Sequence, residues 1–157
     1  MPKIDPFLWF DTEAEEAANF YVSVFNNSKI LNINRNRQAG PGPKGGVMSV
    51  VFQLDGREFI ALNGGPVFKF TEATSLIVNC KTQEEVDTYW AKLVEGGEES
   101  QCGWLKDKYG LSWQIIPSVL VELIGAPDPQ KAKRVMEAMR KMKKIDIAEL
   151  KRAYARD

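Results

Sequence analysis

The sequence predicts an α+β protein. Two successive β-α-β-β-β modules, about residues 1–66 and 67–117, form one domain over residues 1–127, and a helical C-terminal extension follows over residues 128–157. Three observations predict this. First, LWFDTEAEEAANFYVSVF (8–25) lies over LIVNCKTQEEVDTYWAKL (76–93) at a shift of 68 residues without a gap, so one strand-then-helix pattern occurs twice. Second, each copy is followed by short β-rich runs set off by turn signals. Third, beyond Pro117 the pattern turns helical, with starts marked by Asp128-Pro129 and by Asp146 with Glu149 three residues on.

In the overlay Leu8 meets Leu76, Glu16 meets Glu84 and Tyr21 meets Tyr89, while Ala18, Val22 and Phe25 meet Val86, Trp90 and Leu93. The apolar face of the helix, centred on the tyrosine, is thus predicted to be kept in both copies. Along the first module, IDPFLWF (4–10) reads as a strand. Asp11 or Thr12 is placed to cap a helix whose apolar face is Ala14, Ala17, Ala18, Tyr21, Val22 and Phe25. The asparagines of NNS end it. ILNINRNR (30–37) reads as a strand with Leu31, Ile33, Arg35 and Arg37 on one face and asparagines on the other. GPGPKGG (40–46) is a loop, and VMSVVFQL and REFIALN are strands joined at Asp55-Gly56, a strong hairpin signal. The second module runs on through EGGEES, CGWLKD and LSWQIIP. After Pro117, SVLVELIG (118–125) reads as a short helix or turn. A longer one begins at Pro129, where Ala132, Val135, Met136, Met139 and Met142 form a packing stripe.

At 157 residues, 44% hydrophobic and 27% charged, the chain has the composition of a globular domain. Lys plus Arg and Asp plus Glu balance at 21 each, but residues 128–157 carry ten basic and five acidic groups. A basic tail of this kind is expected to dock on its own acidic body or on a partner subunit. No aromatic residues interleave with its Lys/Arg run, so nucleic acid is not expected as a partner. No segment approaches a membrane span, MPKIDPFLWF does not read as a signal peptide, and two cysteines make no disulfide framework, so a cytoplasmic location is expected. The chain has no histidine, which removes Ser-His and Cys-His nucleophile pairs and the commonest transition-metal ligand.

The segments FLWFDTEAEEAANFY, FIALNGGP, FTEATSLIVNC, EEVDTYWAKL, GGEESQCGWLKDKYGLSWQIIP and RVMEAMRKMKKIDIAELKRAYA resemble the PhnB-like branch of the vicinal oxygen chelate superfamily. That superfamily includes glyoxalase I, bleomycin-resistance proteins and extradiol dioxygenases. The branch often carries the description 3-demethylubiquinone-9 3-methyltransferase domain, and GWLKDKYGLSWQIIP is the most specific part of the match. The resemblance implies cupped, incomplete sheets around a cavity, and a homodimer in which modules or tails can be exchanged. A Rossmann-type methyltransferase would place a glycine-rich turn between its first strand and helix, whereas this chain runs into DTEAEEA there.

In metal-using relatives four ligands come from equivalent strand positions. The resemblance places them near Ile4 and Ile60 in the first module and near Glu72 and Gln114 in the second, Gln114 standing where the relatives have the Glu of Gly-x-x-x-Glu, counted from Gly110. Isoleucines offer no lone pairs. Glu72 and Gln114 remain as weak metal candidates, too few to hold a divalent cation unless substrate or water completes its shell. The leading expectation is therefore a small-molecule-binding protein with no cofactor, or at most a weakly held divalent metal. The alternatives are an enzyme of the same fold using that metal, and a purely structural dimeric module.

Each candidate has a plainer reading beside the binding one. Gln114 either faces the ligand or hydrogen-bonds its neighbours, and Glu72 is either a ligand or an exposed acid. Arg35 and Arg37 either grip an anion or reach solvent. Asn63, before Gly64-Gly65, makes a turn or faces the pocket. Trp113, with Trp9, Trp104, Phe59, Phe68 and Phe70, reads mainly as core, with one or two of the six stacking on a ligand. Cys102, with Lys106 or Lys108 to activate it, is a reactive thiol or a small core residue.

Overall fold

A computed structural model describes residues 2–37 and 43–156. It divides between Phe70 and Thr71 into two compact units. In the first, β1 (Phe7–Phe10), α1 (Ala14–Val24), β2 (Lys29–Arg35), β3 (Val47–Leu54) and β4 (Arg57–Asn63) give a four-stranded sheet of order β1-β4-β3-β2. In the second, β5 (Ser75–Cys80), α2 (Gln83–Val94), β6 (Glu98–Glu99), β7 (Trp104–Lys106) and β8 (Ser112–Pro117) give the order β5-β8-β7-β6. The first and last strands of each module run parallel, and the other pairs are antiparallel. The repeat seen in the sequence is therefore a repeat of topology. The chain then adds α3 (Ser118–Ile124), α4 (Pro129–Arg140) and α5 (Ile147–Ala155).

The Asp55-Gly56 hairpin forms as its sequence predicts. Leu54 pairs with Arg57, and both turn residues take positive φ, +48° and +78°, the conformation of a two-residue primed turn. Residues 40–42 of the predicted GPGPKGG loop lie outside the described residues. The core of the first unit packs Ala14, Ala17, Ala18 and Tyr21 of α1 on Val50, Phe52, Phe59 and Ala61, all buried. Small alanines let the helix approach closely, and Tyr21 stacks near Phe52 with ring centroids 6.2 Å apart.

Several local expectations are corrected. The first strand begins at Phe7, so Ile4 precedes it and is 94% exposed. Neither Asp11 nor Thr12 caps α1. Its N-cap is Glu13, with no side-chain cap of its own, and the Ala14 N–H donates to Asn63 Oδ1 across the module, at 2.8 Å. In β2, bulges between Ile30 and Asn32 and between Asn34 and Arg35 break the predicted alternation, so Leu31, Ile33 and Arg35 do not share one face. The buried face of α2 is Val86, Trp90 and Leu93, and Tyr89 is only half-buried, unlike its counterpart Tyr21. The α4 stripe also splits. Val135 is buried and Met139 packs on it, while Ala132 and Met136 turn elsewhere.

The turn between β7 and β8 is built on a buried charge. Asp107, 2% exposed, accepts hydrogen bonds from the Tyr109 and Leu111 N–H groups at 2.8 and 3.1 Å through Oδ1. Its Oδ2 accepts from Trp113 Nε1 at 2.8 Å. Gly110, at φ +86°, closes the loop by donating to the Asp107 carbonyl.

The extension folds back on the second module. Ile145, Leu150 and Val135 bury themselves against Ile116 and Leu120. Gln83, at the start of α2, donates to the Ile145 carbonyl at 3.0 Å and accepts from the Ile147 N–H at 2.8 Å. Lys144 pairs with Asp87 at 2.8 Å, and the Cys102 and Gly103 N–H groups donate to the Met142 and Lys143 carbonyls. Asp128 and Asp146 cap α4 and α5 as expected.

Asp107→Asn retains the Oδ1 acceptor but presents an amide N–H to the indole N–H of Trp113. Leaving that buried donor unmatched is expected to lower stability by about 2 kcal/mol. Urea unfolding followed by tryptophan emission measures it, and the loss shrinks when Trp113 is also changed to Phe.

Candidate functional site

The alternation along β8 defines two faces. Trp113 and Ile115 are buried with Leu105 on the side of α2, whose buried face meets them. Ser112, Gln114 and Ile116 point the other way. Register extends this second face. Ser75 and Ile77 of β5 lie opposite Ser112 and Gln114, and Lys106 and Trp104 of β7 lie opposite the same two residues. Ile116, at one end of the face, is covered by the C-terminal helices.

The polar groups here are few and neutral. Gln114 Nε2 donates to Ser75 Oγ at 2.9 Å, and its Oε1 makes no other hydrogen bond among the described residues. Ser112 is 1% exposed, and its Oγ finds no hydrogen-bond partner among the described residues. Ile77 is half-exposed and Trp104 partly so, which gives the face an apolar wall. At its rim Lys106 pairs with Glu72, which sits in the turn before β5. The hydrogen bond from Lys106 holds the Glu72 carboxyl below its usual range, and Glu72 in turn raises the Lys106 ammonium.

Within the second unit, the predicted residues Glu72, Cys102, Trp113 and Gln114 are not brought to one place. Gln114 lies on this face, and Glu72 reaches it only through Lys106. Trp113 is on the opposite side, tied to Asp107. Cys102 occupies a left-handed turn position, φ +60°, whose N–H holds the extension. Arg35, Arg37 and Asn63 belong to the first unit. Arg35 donates to the Gly45 carbonyl and is exposed, and Arg37 lies exposed beyond the end of β2. Asn63 caps α1 and donates to the Val47 carbonyl at 3.0 Å.

Register also refines the comparison of modules. Phe7 corresponds to Ser75 at the 68-residue shift. Phe7 pairs with Ile60 and Ser75 with Ser112, so Ile60 matches Ser112, and Leu62 matches Gln114. The first module thus has Ile60 and Leu62 where the second has a hydroxyl and an amide. Ser75 and Ser112 are residues of this face that the sequence reading does not single out, while Trp104, one of its six candidate aromatics, does lie here. The alternation in SWQIIP already places Ser112 on the side of Gln114, but only pairing across strands brings Ser75 and Trp104 there.

Two modules of this topology define a protein of the vicinal oxygen chelate superfamily. Within it, the chain belongs to the family described as 3-demethylubiquinone-9 3-methyltransferase, whose model matches residues 2–116. A PhnB protein of Bacillus cereus is similar at 42% identity, with 74% of this chain and 100% of that chain covered and a TM-score of 0.69. A protein of Pseudomonas aeruginosa shares the fold at 18% identity over 74% of this chain and 98% of that one, TM-score 0.62. So does the fosfomycin resistance protein FosX of Listeria monocytogenes, solved with Mn(II) and sulfate, at 14% identity over 73% and 89%, TM-score 0.52. Among curated proteins no match is found. The family match ends before α3, so the three C-terminal helices lie beyond it. No helix among the described residues is long and apolar enough to cross a membrane.

Cys80, 1% exposed, has its thiol pushed up to about 11, mainly by burial and further by the Glu85 carboxylate. The folded state therefore keeps a proton that the unfolded chain loses near pH 9. Stability should fall as pH rises from about 9 to 11, by an amount on the order of 2 kcal/mol. Denaturant melts across that range check it, and Cys80→Ala should flatten this part of the profile.

Proposed function

We propose that the face around Gln114 binds a small, partly planar organic molecule, and that the protein works without a tightly held metal ion. The observation that carries this reading is the buried Ser112 hydroxyl, which lacks a partner among the described residues beside an amide whose Oε1 is uncommitted. A buried hydroxyl left unmatched costs about 1–3 kcal/mol, which a ligand donor or acceptor would offset. Trp104 and Ile77 supply the apolar contact such a molecule needs.

The donor set does not fit a tightly held divalent cation. Such ions take six or more oxygens, with carboxylates among them. Here the neutral oxygens of Gln114, Ser75 and Ser112 stand beside a carboxylate already engaged by the Lys106 ammonium, which would itself repel a cation.

The proposal includes a homodimer in a reducing, cytoplasmic setting. Support comes from two free thiols, Cys80 and Cys102, and from the exposed apolar side chains Phe7, Val67 and Phe68 of the first unit.

Thermal-shift titrations with Mn(II), Zn(II) and Mg(II) are expected to give no saturable stabilisation. Ligand-observed NMR with a panel of small planar amides and phenols is expected to find binders. Ser112→Ala and Gln114→Leu should each weaken the best of them about fivefold. Saturable metal binding lost in both Glu72→Ala and Gln114→Ala would establish the weak-metal enzyme instead. Absence of any binder would leave a structural module, and a monomer by light scattering would remove the dimer.

A further inference from the structure

The helix α4 has two apolar faces, and the core explains only one. Val135 and Met139 pack into the cluster around Leu150. Ala132 and Met136 instead floor a groove whose far wall is Ile124 and Pro127 and whose volume is about 520 Å³, within the range of small-ligand sites. The stripe runs from Pro129 to Arg140, which the helical rise makes roughly 16 Å long. That is about the length of an extended chain of a dozen carbons.

One end of the groove is cationic. Arg140 lines it and makes no ion pair among the described residues. Lys141 and Lys143 follow it, both exposed. Midway along, Lys133 and Glu137 both line the groove 4.0 Å apart, so their charges offset and the net positive charge of the lining falls to Arg140. The surrounding segment, residues 128–157, carries ten basic and five acidic groups. An apolar trough with a guanidinium at one end suits a molecule with an alkyl chain and one carboxylate.

We infer that the groove between α4 and the end of α3 binds a free amphiphilic anion, an unbranched alkyl carboxylate of medium length. Its chain lies along Ala132 and Met136 against Ile124, and its carboxylate meets Arg140. The site is separate from the face around Gln114, and it falls in the part of the chain beyond the family match.

Calorimetric titration of the full chain with sodium decanoate, below its micelle concentration, tests the inference. Decan-1-ol, decyltrimethylammonium and vesicles of anionic phospholipid serve as comparisons. Saturable one-to-one binding of decanoate is expected, with the alcohol and the ammonium at least about tenfold weaker. Arg140→Gln should weaken decanoate about tenfold, Ala132→Phe should abolish binding by filling the trough, and Gln114→Leu should leave it unchanged. Thermal melts check that each variant folds. Should Ala132→Phe unfold, the series from hexanoate to decanoate decides, with affinity expected to rise roughly threefold per methylene. Equal binding of all three amphiphiles overturns the inference. So does decanoate binding unaffected by Arg140→Gln but lost in Gln114→Leu, a flat chain-length series, or binding seen only on vesicles.

Discussion

A carboxylate in a protein interior is expensive unless donors surround it, and Asp107 accepts from the N–H groups of Tyr109, Leu111 and Trp113. Those three bonds do more than neutralise a cost. They set the length of the turn between β7 and β8, and turn length sets register. With that register, Trp104 stands opposite Gln114 and Lys106 opposite Ser112. A slip of one residue would carry Ser112 and Gln114 to the side of α2 and bring Trp113 out of the core. The site on the second sheet therefore depends on a charge that faces away from it.

The two modules show what duplication preserves. Strand order and direction are the same in both, because they follow from where the strands and the crossover helix occur along the chain. Side-chain chemistry is freer. Aliphatic Ile60 and Leu62 fill one module where Ser112 and Gln114 occupy the other. The helix caps differ as well. Thr82 caps its own helix, accepting from the Glu85 N–H, while α1 borrows Asn63 from the end of its last strand. An amide at the strand end is thus committed to the fold, which leaves the second module as the one with polar groups to spare.

The helical extension is more than an appendage to that second unit. Its core around Ile145 and Leu150 covers Ile116, two residues from Gln114, and so closes one end of the site's face. Gln83 joins α2 to the start of α5 through both its amide groups, which ties the extension to the helix on the other side of the same sheet. The basic tail thus has an anchorage on its own second module, largely apolar and hydrogen-bonded, with Lys144 and Asp87 as a charged contact.

Local sequence signals were enough for the elements and their order: the repeat, the Asp55-Gly56 hairpin, the capped starts of α4 and α5. These rest on interactions between residues close along the chain, on backbone conformations that few residues tolerate, and on a period of burial that a duplicated segment displays twice. Gln114 was legible too, as an amide inside an apolar strand. Tertiary structure alone decided which groups meet. Asn63 reaches Ala14 across 49 residues, Ser75 reaches Gln114 across 39, and Gln83 reaches Ile145 across 62, none of them signalled by spacing. Bulges in β2 turned side chains that strict alternation would have sent elsewhere. The physical reason is that strand pairing and side-chain hydrogen bonds are long-range choices, made only when the sheet has closed, whereas turns, caps and periodicity are settled within a few residues.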